Sequence, residues 1–559
     1  MSDFTKLFKL NVSDLEAAVS SWRTLASELS STQTQYNTRV FAPLFPEWKG
    51  DSAESAMLYL RRLPEQLQAA HVYALLIIKV MDTTRFRMEQ AQTDLRNAVR
   101  YAEEQFVVDD ETGKVSLPTW LTEAENDPDA KALATTYTEA LNGHQQRIDQ
   151  AIKDAKKASG DGKWSLDQIH AEWLDEDDAV GRTKLATKDV LKGLGIKSKF
   201  PDDMSAKDAK EWWDASDKDE RELLIAMYPK EVGAQDGLPA EARNKANRLY
   251  LNQALQPVYD PESDDSMTTD DFNTQQEGLR TLKDKLDAAE GAPKDKELYL
   301  LKVDPEGDGR AIVAMGNPDT ADNTAVLVPG TNTELTKMGS QINRIDALQQ
   351  AAEKSAPSET TSVISWLDYD PPAAGGGRFD FGIAGQDRAR DGGDTLRDFT
   401  SGLRVAQGDR HGHLTVIGHS YGSTTVGAGA ANEDGLGADE IVVAGSPGTT
   451  VREAKDLQID PKHVYVAAAD DDPIIKWAAD LTLGVDPSRE SFGAQRIKVD
   501  TSGHSGYWDF KDNGQPSESL MNQGRIIVGD APTTTEPKRE MPKGRDGREL
   551  GSLPVGPKW

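Results

Sequence analysis

The feature that most limits what this chain can fold into is a serine at the apex of a turn flanked by glycines. Residues 414–423 read Leu-Thr-Val-Ile-Gly-His-Ser-Tyr-Gly-Ser, an apolar run of strand character closing in G-x-S-x-G. The small residues from Thr424 to Ala431 follow and suit a helix packed closely on its neighbours. Where a strand reverses sharply into a helix, side chains beside the apex collide with the opposite limb, so glycine is needed there. Gly418 and Gly422 are thus expected to let the turn lift Ser420 above a sheet.

The rest of the chain has to supply that sheet. At 559 residues it is too long for one ordinary core. Short β-rich runs begin after Lys294: Leu298–Val303, Ala311–Met315, Ala325–Val328, Ser362–Trp366, Leu414–Ile417, Glu440–Ala444, Val464–Ala468 and Arg496–Val499. Two close strands, then strands alternating with helices, predict a mostly parallel sheet with an antiparallel start. Count and rhythm match the eight-stranded α/β-hydrolase fold. The expected division is an all-α N-terminal domain over 1–158, a charged linker over 159–211, and a helical preface or lid on the hydrolase flank over 212–293. The catalytic domain follows over 294–530, and a Pro-, Gly- and charge-rich flexible tail over 531–559.

In the N-terminal part, Leu15, Val19, Trp22, Leu25 and Leu29 recur at helical spacing. A break over 41–50 precedes a second helix carrying Met57, Leu60, Leu63 and Leu67, in which Pro64 should cause a kink unless a neighbour compensates. The Trp48-Lys49-Gly50 turn between the two resembles the WXG-type hairpins of type VII secretion. That family's Y-x-x-x-[DE] export signal is not matched, since Tyr101 is followed by Gln105 and Tyr137 by Leu141. A helical docking domain or a self-associating coiled coil fits these helices equally well.

Composition excludes several classes. There are 64 Lys and Arg against 94 Asp and Glu, a formal charge of -30, which opposes phosphate capture and so nucleic-acid binding. With no Cys, thiol nucleophiles, disulfides and zinc–thiolate sites are ruled out together. The longest apolar run, Val72 to Met81, is interrupted by Lys79 and is too short for a membrane span. Met1 to Leu10 shows no ordinary signal peptide. The expected location is the cytoplasm, or outside the cell by the type VII route. No G-x-x-x-x-G-K-[ST] or H-E-x-x-H stretch occurs, and the acidic run 259–273 lacks EF-hand spacing, so no metal or cofactor is expected.

A serine hydroxyl needs a base. Of eight histidines, His71, His144 and His170 precede the sheet. His411, His413 and His463 precede strands and belong at the sheet's N-terminal edge, whereas sites form at the carboxyl edge. His419 adjoins Ser420 but should point elsewhere, as a packed residue or one lining the pocket. His504 follows the last strand and is the candidate base. The acid should follow strand seven, where Asp470, Asp471 and Asp472 leave the choice open. Hydrolases of this fold often read D-P-[IV] there, which favours Asp472 over the alternatives Asp470 and Asp471. Donors for a developing oxyanion are the Tyr421 N–H and, from the loop after strand three, the Thr331 N–H. Asn332, Asp368, Tyr369 and Trp508 are further candidates to line the pocket.

The segment from about Trp212 to Val528 resembles an actinobacterial α/β-hydrolase family of uncharacterised function. The resemblance is carried by LLKVDPEGDGRAIVAMGNPDTADNTAVLVPGTNT, WLDYDPP, GHSYGS, GSPG, DDDPI and HSGYW. It implies a serine hydrolase, esterase- or lipase-like, acting on a small-molecule or lipid ester through Ser420, Asp472 and His504. A second reading makes the protein a secretion-associated effector whose N-terminal helices bind a protein partner.

Overall fold

The structure, a computed structural model, describes residues 1–36, 39–40, 51–123, 128–169, 179–194, 196, 200–201, 203–255, 269–375, 378–379, 385–477 and 482–538. The Trp48-Lys49-Gly50 turn lies outside them. The chain forms two compact units. One comprises Met1–Phe200 with Asp217–Met227, and the other Pro201–Ser216 with the chain from Tyr228 onward.

The first unit is built on long helices: α1 (Ser13–Tyr36), α2 (Asp51–Glu103), α3 (Pro128–Asp167), α4 (Ala179–Gly193) and α5 (Lys218–Met227). A short β-hairpin pairs Val107–Val108 with Val115–Ser116. Pro64 does not end α2. Lacking an N–H, Pro64 leaves the Leu60 carbonyl one turn earlier without its helical donor. The Tyr36 hydroxyl of α1 donates to that carbonyl at 3.1 Å, and Gln33 donates to the Pro64 carbonyl at 3.2 Å. The neighbouring helix thus makes the proline tolerable. Val72, Leu76, Ile78 and Val80 are buried on α2. Lys79 in the same run is also buried and donates to Asp217 at 2.5 Å, so the apolar run serves as a helix core. No helix among the described residues is long and apolar enough to cross a membrane.

Two boundaries differ from the expected division. Residues 159–211, expected as linker, contain the end of α3, all of α4 and the larger part of a helix over Ala206–Asp214. The expected preface is split, because α5 packs with the N-terminal unit through Lys79–Asp217 and through Gln68 donating to the Ala226 carbonyl at 2.9 Å.

The second unit holds one eight-stranded sheet. Its strands are β1 (Leu298–Asp304), β2 (Arg310–Met315), β3 (Asn323–Val328), β4 (Thr361–Leu367), β5 (His413–His419), β6 (Glu440–Ala444), β7 (Val464–Ala467) and β8 (Gln495–Ile497). Their order is β8-β7-β6-β5-β3-β4-β2-β1, with β2 antiparallel to both its neighbours and all other pairs parallel. All eight expected runs are strands of this sheet, and the fold is the α/β-hydrolase fold.

Alternation along the strands divides the core in two. On one face, Leu300, Val313, Leu327, Val363, Ile417 and Val442 pack with Ile345 and Leu348 of a helix over Met338–Ser355 and with Leu520 and Ile526 of another over Glu518–Ile527. On the other, Leu301, Ile312, Val326, Ile364, Val416 and Val443 pack with Leu396, Phe399 and Leu403 of Asp387–Gln407 and with Val426 of Tyr421–Ala430. In chain order we label the helix over Ala240–Ala254 α6 and these four α7 (Met338–Ser355), α8 (Asp387–Gln407), α9 (Tyr421–Ala430) and α10 (Glu518–Ile527).

α6 is fastened to the edge strand β1. Asn247 donates to the Leu300 carbonyl at 3.0 Å and Arg243 to the Leu301 carbonyl at 3.1 Å. The opposite edge, β8, takes up the start of the expected tail. Lys498 donates to the Thr533 carbonyl and Thr535 to the Arg496 carbonyl, both at 2.8 Å. An exposed strand edge is a template for extended chain, which accounts for this order. Residues 539–559 lie outside the described set.

The small residues after Ser420 let α9 lie directly on α8. A Cβ on Gly393 would fall 2.6 Å from the backbone nitrogen of Gly429, a clash no side-chain rotation relieves. Gly393→Ala should therefore destabilise the second unit by about 1–3 kcal/mol, the usual cost of overpacking, read from urea unfolding. Unchanged stability would refute the close approach of these helices.

Candidate active site

The turn after β5 brings the site together. Ser420 has φ 54° and ψ -129° and immediately precedes α9. Few L-residues adopt such a conformation, and its neighbours hold it in place. The Ser420 N–H donates to the Ala444 carbonyl of β6 at 3.0 Å, and the Ser423 hydroxyl donates back to the Ser420 carbonyl at 2.5 Å. Glycine is required on both sides. A Cβ on Gly418 would lie 2.5 Å from Ser423 Cα, and one on Gly422 would lie 2.2 Å from the Val328 carbonyl oxygen. The loop after β3 closes on the turn in the same way. A Cβ on Gly330 would sit 2.7 Å from Ser420 Cβ and 3.0 Å from the Tyr421 nitrogen.

Asp472, after β7, is completely buried and its carboxylate is fully engaged. His504 Nδ1 is 2.9 Å from Oδ2 and 3.0 Å from Oδ1. The Tyr507 hydroxyl donates to Oδ2 at 2.7 Å, and the Ile474 N–H donates to Oδ1 at 2.8 Å. Burial alone would raise this carboxyl's pKa. The hydrogen bonds from His504 and Tyr507 outweigh it and hold the group below the usual carboxylate range. Asp470 is exposed and pairs with Arg496 at 2.7 Å. Asp471 accepts the Gly503 N–H at 2.8 Å, steadying the loop that carries His504. Of the three aspartates, Asp472 is the one that meets His504.

His419 packs under this pair. Its Nε2 donates to the His504 carbonyl at 2.9 Å, and its ring lies 4.9 Å from the His504 ring and 4.8 Å from Trp508. Burial, the Arg344 guanidinium and His504 push its pKa down to about 3, so the ring stays neutral.

Ser420 and His504 open onto one cavity of about 390 Å³, which Gly330, Thr331, Asn332, His419 and Ile474 also line. Helix α7 contributes Ser340, Gln341 and Arg344 to its wall, and Lys337 lines it from directly before the helix. Three expected lining residues sit elsewhere. Asp368 is buried against Lys302 at 2.7 Å. Burial raises its carboxyl, only partly countered by that ammonium. The Tyr369 hydroxyl donates to the Pro329 carbonyl at 2.5 Å, bracing the β3 loop from behind. Trp508 is buried against His419 and the Arg344 guanidinium, behind the cavity wall. Adjacency in sequence could not reveal which side each of the three takes. No residue of α6 is among the described residues that line the cavity. Among the described residues no His, Asp and Glu cluster could hold a metal.

Tyr507 and Gly445 were not singled out from the sequence. Gly445 has φ +58°, and a Cβ there would lie 2.9 Å from Asp472 Oδ2 and 3.0 Å from His504 Nδ1. Its signal is the glycine directly after β6, in GSPG.

Residues 304–482 match the family model described as Alpha/beta hydrolase. An α/β-hydrolase domain suggests hydrolase activity. An uncharacterized protein of Mycobacterium tuberculosis is 33% identical over 347 residues, 55% of this chain and 52% of that protein. An uncharacterized protein of Mycobacterium bovis is 29% identical over 233 residues, 40% of this chain and 83% of that protein. The chain spans about half the length of the first of these relatives. No solved structure matches it.

The depressed Asp472 carboxyl contributes stability above the unfolded carboxylate pKa of about 3.9, and this is lost as pH falls through the lower folded value. Tyr507→Phe removes one of its donors and leaves the Ala469 N–H without its acceptor. It should cost about 1–3 kcal/mol at pH 7, and less near pH 3. Urea titrations at both pH values measure this, and an equal loss at both would show that the tyrosine does not act through the carboxylate.

Proposed function

We propose that the region 294–530 is a serine hydrolase that cleaves an ester, or a related acyl bond, of a small molecule or lipid through an acyl-enzyme. The observation that carries this reading is that His504, paired with Asp472, opens with the strained Ser420 onto one cavity. With Nδ1–H donating a hydrogen bond to the Asp472 carboxylate, His504 Nε2 remains as a base. Ser420 Oγ attacks the substrate carbonyl carbon and passes its proton to Nε2. The N–H groups of Tyr421 and Thr331 stabilise the oxyanion, in keeping with the contact of Gly330 against the turn. Nε2 then protonates the departing alcohol as its bond to the acyl carbon breaks. Water adds to the acyl-enzyme, loses a proton to Nε2 and releases the acid, and Ser420 recovers its proton. Asp472 holds the ring in one tautomer and stabilises the imidazolium.

Two measurements test the reading. A fluorophosphonate should label Ser420 in the wild type and not in Ser420→Ala. A panel of 4-nitrophenyl esters of graded acyl length should lose roughly a thousandfold or more in rate in Ser420→Ala, and a comparable amount in Asp472→Asn, whose ring would favour the wrong tautomer. Equal rates in wild type and Ser420→Ala would sink the proposal.

A further inference from the structure

The wall of the Ser420 cavity is basic in a strongly acidic chain. Acidic residues outnumber basic ones 94 to 64 overall. Among the residues lining the cavity, Lys337 and Arg344 are cationic and none is Asp or Glu. Both project from the first turns of α7 or the residue before it. Positions 337, 340, 341 and 344 share a helix face, and all four line the wall.

Among the described residues neither cation has a counter-ion. Arg344 is half-buried, and its contacts are Gln341 Oε1 at 3.5 Å and the face of Trp508 at 4.7 Å. Asp509 attracts it through space, from beyond ion-pair distance. Lys337 forms no ion pair among the described residues. A guanidinium remains charged at every ordinary pH, and taking it partly out of water without a partner is unfavourable unless something else offsets the cost. Other half-buried cations of this unit are paired, Lys302 with Asp368 and Arg496 with Asp470, while Arg248 is held by the Asn244 amide and the Leu298 carbonyl. His419, which also faces Arg344, is neutral and supplies no compensating charge.

We propose that the substrate is an ester bearing a carboxylate, held by Arg344 and Lys337 while its ester carbonyl lies at Ser420. This rests on the serine-hydrolase reading above and names the substrate class that reading leaves open. The fork of Arg344 suits two-point binding of a carboxylate, and Lys337 at the mouth adds a second charge. The N-terminal end of α7 reinforces the same sign of field. Arg344 and Lys337 are specificity residues here and take no part in proton transfer.

Two ester pairs locate the carboxylate. 4-Nitrophenyl hydrogen adipate against 4-nitrophenyl hexanoate places it on the acyl side, and 3-acetoxybenzoate against phenyl acetate on the alcohol side. After subtraction of spontaneous hydrolysis, kcat/KM of the wild type should favour the anionic member of one pair by about tenfold or more, the effect of one good charge-assisted contact. Salt at about 0.5 M should shrink that ratio, since screening weakens an accessible ion pair. Arg344→Gln and Lys337→Gln should each lower it several-fold. Lys337 is exposed, so its variant and the wild-type salt dependence keep the test decisive if Arg344→Gln fails to fold. A wild-type ratio near or below one in both pairs, with Ser420-dependent turnover of the neutral esters, overturns this inference and leaves the hydrolase reading standing. So does a high ratio that salt and both variants leave unchanged. No Ser420-dependent turnover of any of the four esters overturns both.

Discussion

Ser420 is held at a positive φ by backbone on every side, and the placement of the site follows from that. A non-glycine residue in so sparsely populated a region costs on the order of 1–3 kcal/mol and persists where the surroundings overdetermine it. Here β6 takes the Ser420 N–H, α9 returns a hydroxyl to its carbonyl, and the β3 loop presses Gly330 against its side chain. Moving the serine to a relaxed conformation would require β3, β5 and β6 to part. The central, parallel strands of the sheet are the ones least able to do so, because both their faces are buried.

The second arm of the site is fixed by a different means. His504 lies on an irregular segment after β8, without a strand to define its height. Three contacts define it instead: Asp472 takes Nδ1, His419 takes its carbonyl, and Asp471 takes the neighbouring Gly503 N–H. Two of the three aspartates thus serve one histidine, one through its ring and the other through its loop. Gly445 makes the approach possible by leaving empty the volume a side chain would fill. Backbone strain anchors one half of the arrangement and buried hydrogen bonds anchor the other.

What could be read in advance follows from how local each signal is. Strand alternation and the G-x-S-x-G spacing are local, so all eight strands and the serine turn were legible. Asp472 could be favoured over its neighbours by the residues after it. The side taken by Asp368, Tyr369 and Trp508 was not legible, because partners distant in sequence set it: Lys302, the Pro329 carbonyl, and His419 with Arg344. Tyr507 was hidden for a related reason, since its partner Asp472 is 35 residues away. The division of the helical preface also escaped. It depends on Asp217 meeting Lys79 of α2, 138 residues earlier, and nothing in the pattern of 212–255 points there.

Lys79 and Arg344 show the same physics resolved in two ways. Both are cations partly or wholly withdrawn from water, where an unpaired charge is costly. Lys79 meets a carboxylate from its own chain, and that pairing draws residues 217–227 into the N-terminal unit. Arg344 meets an aromatic face and an amide, and neither cancels its charge. In a chain with thirty more acidic than basic side chains, a carboxylate partner would be easy to supply. Its absence among the described residues leaves the positive field intact beside Ser420, where a carboxylate from outside could use it.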